Sequence, residues 1–187
     1  AEVLIDEDDK VYGVATGDMG VSKDGIAKDS WESGMELHAK YTLFSEGARG
    51  SLSKFLIDNF ELSKESDHQK YAIGIKELWE VKEENHQEGL VEHSMGWPLS
   101  EGTGGGSFLY HFGQNLVSIG YVVHLNYTNP YVSPFDEFQQ FKTHPSIKKI
   151  LEGGKRISYG ARAITAGGFQ SVPKLFFPGG ALIGCSA

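Results

Sequence analysis

Gly47-Ala48-Arg49-Gly50-Ser51-Leu52-Ser53-Lys54 is the stretch richest in residues that could hold a ligand. Glycines at a tight turn let backbone approach a bound molecule closely and permit φ values that other residues avoid. The turn follows the apolar run Tyr41-Thr42-Leu43-Phe44 and opens onto Leu52, Phe55, Leu56 and Phe60, which recur at helical spacing. That layout reads as strand, turn, helix. The helix N-terminus would present N–H groups to an anion such as a pyrophosphate. A second small-residue turn lies far away in sequence, where Leu182-Ile183 runs into Gly184-Cys185-Ser186-Ala187. One such turn is an ordinary strand–helix connection. Two of them suggest that residues 41–53 and 181–187 return to one ligand.

Thr103-Gly104-Gly105-Gly106-Ser107 is a third candidate. No Gly-Lys-Ser/Thr follows it, so it is not a phosphate loop. Gly102-x-Gly104-x-x-Ser107 also lacks the last glycine of the dinucleotide fingerprint. Two readings stay open. The stretch is a flexible hairpin turn, or Gly105 and Gly106 offer backbone N–H groups to a flat ligand such as a quinone, whose carbonyl accepts such a bond. The seven histidines are scattered without metal-ligand spacing, so no metal site is expected. No Gly-x-Ser-x-Gly elbow occurs, and no side chain is assigned a catalytic role as a nucleophile.

Composition narrows the choice. The formal net charge is −8 and no Lys/Arg cluster offsets it, which argues against nucleic acid. The single cysteine, Cys185, excludes an internal disulfide and a cysteine-ligated cluster built from these residues alone. No apolar run reaches the roughly 18 residues of a spanning helix. The sequence opens in the strand-like Ala1-Glu2-Val3-Leu4-Ile5 without a Met, and both ends are expected to continue in a longer protein.

The elements that must position these turns follow from periodicity. Val3-Leu4-Ile5 and Val11-Tyr12-Gly13-Val14-Ala15 read as a hairpin around the charged turn at residues 6–10. Residues 16–31, rich in Gly and Asp, read as loop. Residues 71–81, 89–97, 106–112 and 116–125 are extended segments rich in Val, Ile, Tyr, Phe and Trp, which suggests an antiparallel sheet. Ser133-Pro134 reads as a helix start, with Phe135, Phe138 and Phe141 near one face. Pro145 opens a short helix with Ile147, Ile150 and Leu151 inward, ended by Gly153-Gly154. Residues 157–164, 172–177 and 181–183 are further strand candidates.

With both end turns in view, the sequence resembles the FAD-dependent hydroxylase and reductase superfamily. Its members carry a Gly-Ala-Asp-Gly-x-x-Ser turn and a Gly-Asp-Ala turn around a substrate-binding sheet. Arg49 and Cys185 stand where the hydroxylases carry Asp. A narrower resemblance is to the electron transfer flavoprotein–ubiquinone oxidoreductase family. It rests on Ala15-Thr16-Gly17-Asp18-Met19-Gly20, Gly34-Met35-Glu36-Leu37, residues 46–54, Gly74-Ile75-Lys76-Glu77-Leu78-Trp79 and Gly105-Gly106-Ser107-Phe108-Leu109-Tyr110-His111. Leu151-Glu152-Gly153-Gly154-Lys155-Arg156 and Phe177-Pro178-Gly179-Gly180-Ala181-Leu182-Ile183-Gly184-Cys185 extend it over essentially the whole sequence.

That resemblance implies an α+β fold: part of an FAD-binding domain of the glutathione-reductase or hydroxylase kind at residues 1–66 and 166–187, with an inserted antiparallel sheet at 67–165 that binds ubiquinone. It implies Gly105 and Gly106 at the quinone head group. It places Thr16, Gly17, Asp18, Glu46, Gly47, Ala48, Arg49, Gly50, Gly184, Cys185 and Ser186 around FAD. The family usually has Tyr before the glycine pair, where this sequence has Gly104. The implied activity of the parent protein is electron transfer from reduced electron transfer flavoprotein to ubiquinone. The implied setting is the surface of a mitochondrial inner membrane or a bacterial cytoplasmic membrane. A [4Fe–4S] cluster is expected in the parent outside these residues, as is the first Gly-x-Gly-x-x-Gly turn. The 187 residues alone are therefore expected to bind no FAD tightly and to have no turnover. The alternatives are an FAD-dependent monooxygenase or prenyl reductase of the same superfamily, and a non-catalytic module.

Overall fold

A computed structural model describes all residues from Ala1 to Ala187. Along the chain run β1 (Glu2–Ile5), β2 (Val11–Ala15), β3 (Met19–Val21), β4 (Ala27–Glu32), β5 (Glu36–His38), β6 (Thr42–Phe44) and α1 (Ser51–Asn59). Then come β7 (Tyr71–Glu80), β8 (Val91–Met95), β9 (Gly105–Phe112), β10 (Leu116–His124), α2 (Pro134–Phe141), α3 (Pro145–Leu151) and β11 (Lys155–Thr165). Two short strands, β12 (Phe176–Phe177) and β13 (Gly180–Leu182), complete an α+β architecture. The chain divides into two compact units: Ala1–His68 with Gly167–Ala187, and Gln69–Ala166.

In the first unit β1, β2 and β5 form one antiparallel sheet. β13 lies between β12 and β6, antiparallel to the former and parallel to the latter, with Leu182 opposite Phe44. Val11, Phe44, Leu56, Leu62, Phe177 and Leu182 form its core. α1 turns Leu56 into that core and leaves Phe55 exposed. Residues 16–31, expected as loop, contain the β3–β4 hairpin instead. Its turn is closed by Gly25 N–H to Ser22 O (3.1 Å) and Ile26 N–H to Ser22 Oγ (3.0 Å). Every residue of β4 is exposed, so no apolar alternation marks the strand in the sequence. The strand expected at 172–177 shrinks to Phe176–Phe177, because Pro173 cannot donate to a ladder.

The second unit is a five-stranded antiparallel sheet in the order β11-β7-β10-β9-β8. One face carries Val117, Ile119, Tyr121 and Val123 of β10 and Leu109 of β9, and these pack with Phe138, Phe141, Ile147 and Leu151 of the helices. Ser133 caps α2: its Oγ accepts from Asp136 N–H at 3.3 Å, and Pro134 occupies the first turn. Phe138 and Phe141 are buried as expected, but Phe135 is 55% exposed. α3 ends with Lys148 and Lys149 in its last turn, where cations suit the helix dipole.

Glu77 fastens this unit. Its side chain is 3% exposed, and its carboxylate accepts from Lys142 Nζ (2.9 and 2.8 Å), Trp79 Nε1 (2.8 Å) and Arg156 (3.0 Å). Burial alone would raise its pKa. The bonds from Lys142, Trp79 and Arg156, with the Lys142 charge, outweigh that and hold it below the usual carboxylate value. One carboxylate thereby joins β7 to β11 and to the residue that follows α2.

Candidate functional site

In the first unit the two end turns meet. Strand β13 runs parallel to β6, Ile183 N–H donates to Phe44 O (3.0 Å), and Ser186 Oγ donates to Gly47 O (3.4 Å). Residues more than 130 positions apart in sequence are thus bonded directly. Gly47 has φ +86° and Gly184 has φ +61°, and nothing lies within 4 Å of where a side chain would begin at either. Both need glycine for conformation and leave open space above the backbone. Ala48 and Cys185 are half-buried beside them, and Arg49 is exposed.

The N-terminus of α1 is not available to an external anion, contrary to the sequence expectation. Glu46 Oε2 accepts from Ser53 N–H (2.6 Å) and from Ser53 Oγ (2.8 Å), and Oε1 accepts from Leu52 N–H (3.3 Å). A side chain on Gly50 would collide with this folded-back glutamate. Burial would raise the Glu46 pKa, but the Ser53 hydroxyl and the N–H groups of Ser53, Leu52 and Ser51 bring it below the ordinary value. The chain supplies its own anion to the helix. Glu46 belongs to the turn, as expected, but as a cap. The spacing of Glu46 to Ser53 carried no capping signature, because the cap sits outside the usual position.

Thr16, Gly17 and Asp18 bond elsewhere. Thr16 exchanges hydrogen bonds with Met35, and Asp18 Oδ1 accepts from Gly34 N–H at 2.8 Å. These bonds order the turn before β5 and do not reach Gly47 or Gly184.

In the second unit Gly105 and Gly106 open β9 rather than forming a hairpin turn. Gly105 stands opposite Val123, and Gly106 stands between Val122 and Met95. A Cβ on Gly105 would collide with Val122 O and with Leu99, and one on Gly106 would meet Ser94 O. Glycine is needed here for close approach of backbones. The ladder frays at this point. Gly96 N–H reaches Gly105 O only at 3.5 Å. The Gly96 carbonyl serves Leu99 N–H (3.0 Å) and Tyr121 OH (2.8 Å) instead of Gly105. The Gly105 N–H, which points toward β8, is left without a ladder partner. A strand start with an unused donor and no side chains is suited to an acceptor atom on a flat molecule.

On the helix-covered side, a cleft of about 310 Å³ lies beside this strand, with Ser94, Trp97, Ser107, Leu109, Phe141 and His144 among its walls. Ser94 and Ser107 share a 2.6 Å hydrogen bond inside it. One feature of the unit, the Glu77 cluster, escaped sequence reading. His111 lies in the sheet, 3% exposed, and its Nδ1 accepts from Gln87 N–H at 3.1 Å. That bond requires the ring proton on Nε2, so this imidazole is not a metal ligand.

Comparison with known proteins agrees with both units. The sequence profile of the family described as "ETF-QO, ubiquinone-binding" matches residues 71–164, about half of the chain. The chain is 58% identical over 190 residues to the mitochondrial electron transfer flavoprotein-ubiquinone oxidoreductase of Caenorhabditis elegans, covering 100% of this chain and 32% of that protein. The Homo sapiens mitochondrial protein of that name is 57% identical over 188 residues, with 100% and 30% covered. The Pseudomonas aeruginosa protein is 55% identical over 185 residues, with 98% and 34% covered. The chain thus spans about a third of the length of these relatives. Among solved structures, a geranylgeranyl bacteriochlorophyll reductase-like protein from Thermoplasma acidophilum superposes with a TM-score of 0.62 at 15% identity, over 100% of this chain and 40% of that one. A flavin-dependent brominase does so with 0.55 at 13%, over 100% and 42%. At such identities the likeness is one of fold.

Proposed function

The chain belongs to the ETF-QO ubiquinone-binding family, and from that premise we propose that it is the ubiquinone-binding portion of an electron transfer flavoprotein–ubiquinone oxidoreductase, together with part of the flavin-binding portion. The observation that carries the quinone assignment is the frayed start of β9. Gly105 and Gly106 present backbone without side chains, and the Gly105 N–H has lost its ladder partner to Leu99 and Tyr121. A quinone carbonyl is an acceptor that this donor fits.

The paired turns support the flavin assignment. Gly47, Ala48 and Gly184 with Cys185 and Ser186 would hold FAD through backbone. Glu46 and Gly50 shape the turn and Arg49 offers charge beside it, while Thr16, Gly17 and Asp18, which bond to Gly34 and Met35 instead, are assigned to the FAD surroundings by the family resemblance alone. FAD bound there supplies two-electron redox chemistry. The chain's own task is to bind and orient. In the parent protein, reduced electron transfer flavoprotein is the donor, ubiquinone the acceptor, and a [4Fe–4S] cluster is held by residues outside this chain.

The site of action is a membrane surface, in a mitochondrion or a bacterial cell, since the acceptor is lipid-soluble. No helix is long and apolar enough to cross a membrane. Met95 (89% exposed) and Trp97 (46%) are exposed apolar side chains next to the quinone strand and are the proposed membrane contact. Phe108 fits that role less well, because its ring covers Gly120 and stacks on Tyr110. The test is activity of the full-length oxidoreductase carrying Gly105→Val. Loss of quinone reduction is expected while reduction of its flavin by the protein donor persists. Unchanged quinone reduction would contradict the assignment. Unchanged membrane affinity of Trp97→Glu would remove Trp97 from the membrane face.

A further inference from the structure

We propose that His124 donates the side-chain hydrogen bond that fixes the quinone head group over the Gly105–Gly106 strand. This rests on the quinone reading above and adds a residue to it. His124 ends β10 and pairs with the loop before β9: its N–H donates to Gly104 O at 2.9 Å. Its ring covers Gly104, and a Cβ built on Gly104 would lie 2.7 Å from His124 Nδ1. The imidazole therefore occupies the space that a side chain at position 104 would take.

The sheet register shows what this ring faces. Side chains of β9 and β10 alternate between the helix-covered face and the opposite face. Gly104, Gly106 and Phe108 share the opposite face with His124, Val122 and Gly120. Phe108 lies over Gly120, just as His124 lies over Gly104. Between the two rings is the row of Gly106 and Val122, continued on β7 by Gly74. Rows on one face of a strand are roughly 7 Å apart. The result is a single row in which Gly106 and Gly74 carry no side chain and Val122 stands between them, with an imidazole at one end and a phenyl ring at the other.

The imidazole is unused within the fold. His38, His111 and His144 each hydrogen-bond through a ring nitrogen, to Glu36, Gln87 and Ser146. His124 makes no such bond. A neutral imidazole carries one N–H donor and one acceptor nitrogen. A quinone carbonyl takes the donor; a quinol hydroxyl takes the acceptor. At one ring nitrogen the carbonyl needs the N–H and the hydroxyl needs the lone pair, so one ring serves both forms of the ligand by changing tautomer.

The test is a titration of the 187-residue chain with a short-chain, water-soluble ubiquinone, followed by the ¹⁵N shifts of the His124 ring and by affinity. The expected result is a shift of one His124 ring nitrogen on binding, with no shift at His38. His124→Ala should weaken binding about tenfold, the worth of one well-made hydrogen bond. His124→Gln, which keeps a donor, should recover most of it, with β9–β10 amide protection intact in both variants. A wild-type chain that binds quinone with its His124 ring nitrogens unmoved, or an Ala variant of equal affinity, overturns the role of His124 alone. A wild-type chain that binds no quinone overturns this inference and the quinone reading together.

Discussion

Two units of similar length bury their apolar side chains very differently. The Gln69–Ala166 unit closes a core of eleven buried residues, while the unit of Ala1–His68 and Gly167–Ala187 closes one of six. The larger core sits between a continuous sheet and two helices and is tied by Glu77. The smaller one sits among strands of two to five residues, and Met19, Ile26, Met35, Tyr41, Leu43 and Phe169 remain mostly exposed. The Gly105–Gly106 strand, proposed to meet quinone, has its supporting shell within its own unit. The turns at Gly47 and Gly184, proposed to meet flavin, rest on the smaller core. The chain spans about a third of the length of the relatives it matches.

The strongest way to break this contrast is through Glu77. Removing it leaves Lys142 and Arg156 without their shared partner. Glu77→Ala should cost about 3–5 kcal/mol in urea unfolding of the Gln69–Ala166 unit, the usual cost of breaking a buried ion pair. A loss below about 1 kcal/mol would show that the unit does not depend on that cluster. Gly105→Ala comes next. Its methyl would collide with Val122 O and Leu99, for an expected loss of about 1–3 kcal/mol and a weakened quinone titration.

The first unit should respond to conformation more than to packing. Gly47→Ala forces a side chain to φ +86°, and should cost about 1–2 kcal/mol while leaving amide protection of β7, β9 and β10 unchanged. Glu46→Gln removes the charge that caps α1. It should cost about 1 kcal/mol at neutral pH, read as faster hydrogen exchange of Leu52 and Ser53.

The sheet could be read in advance because β10 and β9 announce themselves: Val117, Ile119, Tyr121 and Val123 alternate with smaller or polar residues along a buried face. The meeting of the two end turns followed from the same logic, since β6 and β13 are short apolar strands that each feed a glycine turn. What stayed hidden was non-local or polar. Glu77 is one acidic residue among 25 until Lys142 and Arg156 arrive from 65 and 79 positions away. The β3–β4 hairpin buries nothing, so it left no pattern to find. Glu46 was legible as part of the turn, but its bonds to Leu52 and Ser53 at the start of α1 were not. The space over Gly104 belongs to His124, twenty positions on, which only register could reveal.

The smallest predicted effect is in acid. Burial, helped by the neighbouring His86 and opposed by Glu92, holds the His111 imidazole below its ordinary value. Between its folded value and the ordinary one, the unfolded chain binds a proton that the folded chain refuses. Stability therefore rises with pH across that window, and is lost as pH falls below the ordinary histidine value of about 6.5. Urea midpoints should show this slope for the Gln69–Ala166 unit, and His111→Gln should flatten it. An unchanged slope would place its origin elsewhere.

An amide NMR titration of the 187-residue chain with a short-chain ubiquinone tests the quinone assignment most directly. A head group held at Gly105 shifts the amides of Gly104, Gly105, Gly106 and the Gly96 turn and leaves those of Gly47 and Gly184 unmoved. Shifts confined to the Ala1–His68 and Gly167–Ala187 unit, or none at Gly105, would contradict it.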